Sequence, residues 1–165
     1  MTRLAAIFLA ALAAPAMSAC TTIGHDYVGP EARPFDADAD ASAELAAAQV
    51  KAKAEGKLVL AVFGANWCHD SRALAGMLGT PRFRALTDAG YEVVYIDAGV
   101  PQTGDGRNLD LAARYGVPDI VGTPTVLVLD FDNLLNSPED ARGWRNASTR
   151  SADEIFSWLE GWTRR

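Results

Sequence analysis

Apolar and polar positions recur along the chain with two periods, and each change of period marks an element. "SAELAAAQVKAKAEG" from Ser42 is rich in alanine and other helix formers and stops at Gly56, which predicts a helix with Ser42 as N-cap. "KLVLAVFG" is a short apolar run bounded by glycines and fits a buried strand. A helix is expected from Cys68 to about Leu78, and a second is started by Thr80 and Pro81 and ended by Gly90. "YEVVYIDA" reads as the next strand. Asn108 caps "LDLAARYG", a helix ending at Gly116, before the buried strand "PTVLVLD". The turn "FDN" leads to a short strand near Leu134 to Asn136. "SADEIFSWLEGW" opens with a capping box, Ser151 to Glu154, and sets Ile155, Leu159 and Trp162 on one face. Strands alternating with helices in this order predict an α/β fold, a central mixed sheet covered by helices on both faces.

The first forty residues follow neither period. Arg3 precedes an apolar run, Leu4 to Ala14, that is too short for a span of about 20 residues and fits the core of a secretory signal. It ends in "AMSAC", which resembles a bacterial lipobox with Met17 where leucine is usual; residues 1–19 are then a signal peptide cut before Cys20, the lipidated residue. An ordinary signal peptide cut after another small residue is the alternative. Residues 20–41, with two prolines, two glycines and spaced acids, are expected to be a solvated tether, leaving 42–165 as the folded domain. The alternating acids of "DADAD" do not make a calcium loop, because Ala41 and Ala47 stand where its glycine and glutamate belong.

Composition limits the chemistry. The 165 residues are 49% hydrophobic and carry a net charge of −6 without Lys/Arg clusters, which argues against nucleic acid or an anionic membrane face as partner. Two cysteines and two histidines are too few for a zinc site, "TGDGR" reads as a loop and not a phosphate cradle, and no metal or cofactor is expected. With Cys20 acylated, Cys68 is the one free thiol and no intramolecular disulfide can form.

Three linked motifs carry a resemblance: "ANWC" after an apolar strand, "RYGV" closing a helix and "GTPT" opening the next apolar strand. From Ser42 to Trp162 the chain resembles thioredoxin-fold proteins. The resemblance implies a nucleophile at Cys68, a flanking aromatic at Trp67, and a cis-proline pair, Thr123 and Pro124, packed against the cysteine. Two positions depart from the family pattern. Ser71 replaces the second cysteine of the motif, and Val62 stands where a buried acid is often found.

A thiolate at a helix start faces unpaired N–H groups and the positive end of the helix, a stabilising setting. Ser71, in the first turn, is placed to donate a hydrogen bond to the sulfur, while His69, Asp70 and Arg72 read as solvated surface. Without a resolving thiol, attack on a disulfide yields a mixed disulfide that an external thiol must release. The expected function is therefore monothiol exchange, isomerisation or mixed-disulfide release, on protein or low-molecular-weight thiols and disulfides, by a protein lipid-anchored on the periplasmic side of a bacterial membrane. Thr21 after the lipobox cysteine favours the outer membrane. Two other readings stand: a non-enzymatic module holding an extended peptide beside Trp67 and Pro124, and, for Cys68 alone, a small buried hydrophobe.

Overall fold

The computed structural model describes residues 29–131 and 133–164. The proposed signal, the lipidation position Cys20 and the first part of the tether lie outside the described residues. Among those described, no helix is long and apolar enough to cross a membrane.

Helix α1 (Ala41–Glu55) leads into β1 (Leu58–Gly64), followed by α2 (His69–Leu78), α3 (Pro81–Gly90) and β2 (Tyr91–Asp97). A two-strand ribbon, β3 (Gly99–Val100) and β4 (Asp105–Gly106), encloses a 3₁₀ turn at Pro101–Thr103. After α4 (Leu109–Ala113) come β5 (Thr125–Asp130), β6 (Asn133–Leu134), α5 (Pro138–Arg142), a 3₁₀ stretch Gly143–Thr149 and α6 (Ala152–Thr163).

The main sheet runs β2-β1-β5-β6. β1 pairs with β2 in parallel, from Leu58 opposite Tyr91 to Gly64 opposite Asp97, and with β5 antiparallel, Phe63 lying opposite Thr125. Side chains alternate across a strand, so β1 divides between two cores. Val59, Ala61 and Phe63 pack with Leu45 of α1 and Leu111 of α4. Leu60 and Val62 pack on the other face with Leu74 of α2, Phe83 of α3 and Ile155 and Leu159 of α6. The antiparallel register brings the end of β1, which leads to Cys68, beside the start of β5, which follows Pro124.

Several local expectations are corrected. Asp40, not Ser42, caps α1, its carboxylate accepting from Ala43 N at 3.0 Å. Asn108 has a left-handed backbone (φ 54°), and its side chain donates to the Asp97 carbonyl at 2.9 Å instead of capping α4, which ends at Ala113. The last strand ends at Leu134; Leu135 N still donates to Val128 O at 2.9 Å, and beyond it the Asn136 side chain stands in for the backbone, Oδ1 accepting from Val128 N and Nδ2 donating to Val126 O, both at 2.9 Å. The capping box of α6 is present.

The largest correction concerns the tether. Residues 30–40 form a strap across the start of α2. Phe35 is 2% exposed, lies over Gly64, and meets Tyr95 edge to face. Ala32 N donates to Arg72 O at 3.0 Å, and the Pro30 carbonyl lies so close to Gly76 that a Cβ there would overlap it. The packed unit thus extends back at least to Pro30. Gly64 makes room for the Phe35 ring and Gly76 for the Pro30 backbone.

Candidate functional site

The loop after β1 turns at Ala65, whose carbonyl accepts from Cys68 N at 3.1 Å. Cys68 has extended backbone angles (φ −79°, ψ 122°) and is the N-cap of α2: its carbonyl accepts the first helical bond, from Arg72 N, and its side chain makes no capping bond. The first-turn N–H groups therefore lack the side-chain acceptor that a Ser, Thr or Asp cap would provide. The sulfur points across to β5. Cys68 Sγ–H donates to the Thr123 carbonyl at 3.2 Å, and the following peptide bond, Thr123–Pro124, is cis. Cys68 is 8% exposed and is the free cysteine among the described residues.

Beneath the sulfur the surroundings are closed. Ser71 is fully buried, and its Oγ makes no hydrogen bond to Cys68 or to any other described residue, which corrects the expectation that it donates to the sulfur. The Thr123 hydroxyl is likewise buried without a partner. Val62, also fully buried, belongs to the apolar core and supplies no proton acceptor. Trp67 is 51% exposed while its Nε1 donates to Gly99 O at 3.0 Å, so the ring is held against the β3–β4 ribbon with much of its surface open.

The polar neighbours of Cys68 are more firmly tied than the sequence implied. Arg72 is not a solvated side chain: it donates to Trp67 O at 2.9 Å, to Asn66 O at 3.3 Å and, through Nε, to Glu31 of the strap at 2.8 Å. His69 Nδ1 lies 2.8 Å from the other Glu31 oxygen. The hydrogen bond from Arg72 holds the Glu31 carboxyl below its usual pKa, and His69 adds to the effect. Asp70 accepts from both the backbone N (2.9 Å) and the hydroxyl (2.7 Å) of Ser148, joining α2 to the 3₁₀ stretch. Asn66 exchanges two bonds with the Phe35 backbone, and Arg33 donates to Asn66 O at 2.9 Å. These ties fix the loop carrying Trp67 and Cys68 from both sides. None is an i, i+3 or i, i+4 pair: Arg72 reaches back five and six residues to Trp67 and Asn66, and the others join distant segments.

The strand-loop-helix cysteine facing a cis-proline turn is the arrangement that the sequence motifs implied. A profile described as Thioredoxin-like matches residues 40–130, more than half of the chain. The chain belongs to the thioredoxin-like family. Its mixed sheet with helices on both faces is the thioredoxin-like fold. Among solved structures, it is similar to one titled "The crystal structure of disulphide isomerase from Xylella fastidiosa Temecula1": identity is 35%, the match covers 80% of this chain and 98% of that one, and the TM-score is 0.70. No curated protein matches the chain. The family match stops at residue 130, so β6, α5, the 3₁₀ stretch and α6 lie beyond it. Helix α5, which the hydrophobic pattern does not predict, has its start signal in "SPED", with Ser137 accepting from Asp140 N and Pro138 in the first turn.

Proposed function

We propose that this protein carries out monothiol thiol–disulfide exchange through Cys68, isomerising disulfides or releasing mixed disulfides, while anchored by lipid at Cys20 to the periplasmic face of a bacterial membrane. The supporting observation is the Cys68 sulfur set at the uncapped start of α2, against the Thr123 carbonyl, with Ser71 and no second thiol in the adjoining turn. Similarity to a disulphide isomerase at 35% identity supports the same chemistry.

The step is a substitution at sulfur. The Cys68 thiolate attacks one sulfur of a substrate disulfide; the substrate S–S bond breaks as the Cys68–S bond forms, and the second sulfur leaves as a thiolate that takes a proton from water. A substrate thiol or a low-molecular-weight thiol then attacks the mixed disulfide and expels Cys68 as thiolate. No net oxidation occurs, so no cofactor is needed. If the attacking thiol belongs to the same substrate, the outcome is isomerisation.

The test uses the full chain carrying Cys20→Ala, in which Cys68 is the remaining cysteine. Intact mass should show one glutathionyl adduct after treatment with glutathione disulfide, and a substrate with scrambled disulfides should recover native pairing faster than without the protein. Cys68→Ser should lose both. Unaccelerated recovery with an unreactive Cys68 overturns the reading. It would leave the peptide-holding alternative, which the exposure of Trp67 (51%) and Val121 (56%) close to Cys68 and Thr123 favours. Lipidation is tested separately, by the mass of the mature N-terminus.

Ser71→Cys tests the monothiol assignment. The variant should close a disulfide with Cys68 and gain reduction of a protein disulfide that the parent lacks, the gain being partial because Val62 offers no proton acceptor. Equal turnover by parent and variant would show that Ser71 does not limit the chemistry.

A further inference from the structure

Gly122 immediately precedes Thr123, the acceptor of the Cys68 thiol, and two side chains from separate elements converge over it. A Cβ placed on Gly122 would lie 3.5 Å from both Cβ and Cδ of Arg145 and 3.9 Å from Nε2 of Gln102. Arg145 comes from the 3₁₀ stretch Gly143–Thr149 and Gln102 from the turn inside the β3–β4 ribbon. Gly122 is buried beneath them, whereas both side chains are exposed. A β-carbon at residue 122 would touch the arginine stem at ordinary van der Waals distance, so both side chains lie directly over the glycine.

What distinguishes the pair is that both are uncommitted. Nearby arginines are engaged: Arg72 with Glu31, Arg107 with Asp97, Arg142 with Glu139, and Arg150 with the Gly143 carbonyl and the Trp144 ring. Arg145 and Gln102 have no ion pair or side-chain hydrogen bond among the described residues. Arg145 also borders a surface hollow of about 250 Å³ with Val121, Glu139, Arg142 and Gly143, in which the carboxylate of Glu139 faces Arg142 at 3.5 Å. A guanidinium fork beside a primary amide offers N–H donors and a positive charge, and matches a carboxylate. On a chain of net charge −6, this cation is set against the general field of the protein.

We propose that Arg145 and Gln102 form a carboxylate subsite that selects acidic disulfides for Cys68. The inference rests on the exchange function proposed above. A substrate with a sulfur at Cys68 passes Thr123 and Gly122, and a carboxylate a residue or so from that sulfur comes within reach of the pair. The carboxylate is either that of a small acidic disulfide or that of an acidic residue beside a cysteine in a polypeptide. The chemistry at sulfur is unchanged: the substrate S–S bond breaks as the Cys68–S bond forms, and the departing thiolate takes a proton from water.

The experiment measures the rate of adduct formation at Cys68, in the full chain carrying Cys20→Ala, with glutathione disulfide, neutral bis(2-hydroxyethyl) disulfide and cationic cystamine. Arg145→Met keeps an unbranched stem over Gly122 and removes the charge. The ratio of the glutathione disulfide rate to the neutral rate should fall about five-fold at low ionic strength, the upper range for an exposed ion pair, and the ratio to the cystamine rate should fall further. Added salt should shrink both changes, and Gln102→Met should produce a smaller fall of the same sign. Peptide disulfides with Glu or Gln beside the cysteine identify the source: a matching loss for the Glu peptide assigns acidic polypeptides, and a loss confined to glutathione disulfide assigns small acidic disulfides. Unchanged ratios in Arg145→Met overturn the subsite. S-methylglutathione, which has carboxylates and no thiol, separates this from failure of exchange: its binding to Cys68→Ser, followed by amide NMR shifts, should weaken with Arg145→Met even if no disulfide reacts.

Discussion

The two walls of the cysteine site differ in how their polar groups are used. On the strap side, Glu31, Arg33, Asn66, His69 and Arg72 are bonded to one another or to nearby carbonyls, and Phe35 seals the space beneath. On the cis-proline side, Val121 is exposed and Arg145 and Gln102 extend over Gly122 without polar partners among the described residues. The first wall uses its donors internally and gains position. The second leaves them open and gains the ability to meet a ligand. A site for the exchange proposed above needs both, because a thiol set loosely cannot select geometry and a fully satisfied surface cannot select a substrate.

Substitutions should therefore separate the walls. The largest effect is expected for Phe35→Ala, which should lower stability by about 3–5 kcal/mol, measured by urea unfolding, and make the Cys68 region more accessible to alkylation. A loss below 1 kcal/mol would show that the strap is not part of the packed unit. Asn66→Ala removes both bonds to the Phe35 backbone and should lower stability by about 1–3 kcal/mol, whereas Arg145→Met, on the open wall, should stay within about 0.5 kcal/mol. Comparable losses at the two sites would erase the contrast.

The smallest effect concerns pH. Arg72 holds the Glu31 carboxyl below its usual value of 4.5, so the carboxylate's contribution is present above that value and is lost as pH falls through the lower folded-state value. Acidification below the usual value should thus loosen the strap before the domain unfolds. Hydrogen exchange at the Phe35 amide, corrected for its intrinsic pH dependence, should show an acid step that Glu31→Gln removes; an unchanged step would assign it to another group.

The strands and most helices were legible because their burial is periodic. "KLVLAVFG" and "PTVLVLD" each feed two cores, and the Ser151–Glu154 capping box marks the last helix unambiguously. The residues around the thiol were legible through motifs. Illegible were single-residue devices whose partners lie far along the chain: Phe35 in an otherwise polar stretch, Asn136 acting as a strand, and Asp70 reaching Ser148. Each is one side chain completing a distant surface, which leaves no repeat for sequence pattern to register. Ser71 shows the converse. Its place was readable, but its unpartnered hydroxyl depends on neighbours that only the folded chain brings near.

The clasp of Glu31 on His69 and Arg72 also has a geometric consequence. Glu31 lies eleven positions after Cys20, a separation that even a fully extended chain limits to about 40 Å. With Cys20 acylated as proposed, the start of α2 is confined to a shallow layer above the lipid. Disulfides displayed in that layer would encounter the thiol at a high effective concentration, while those deeper in the compartment would be out of range however reactive they were.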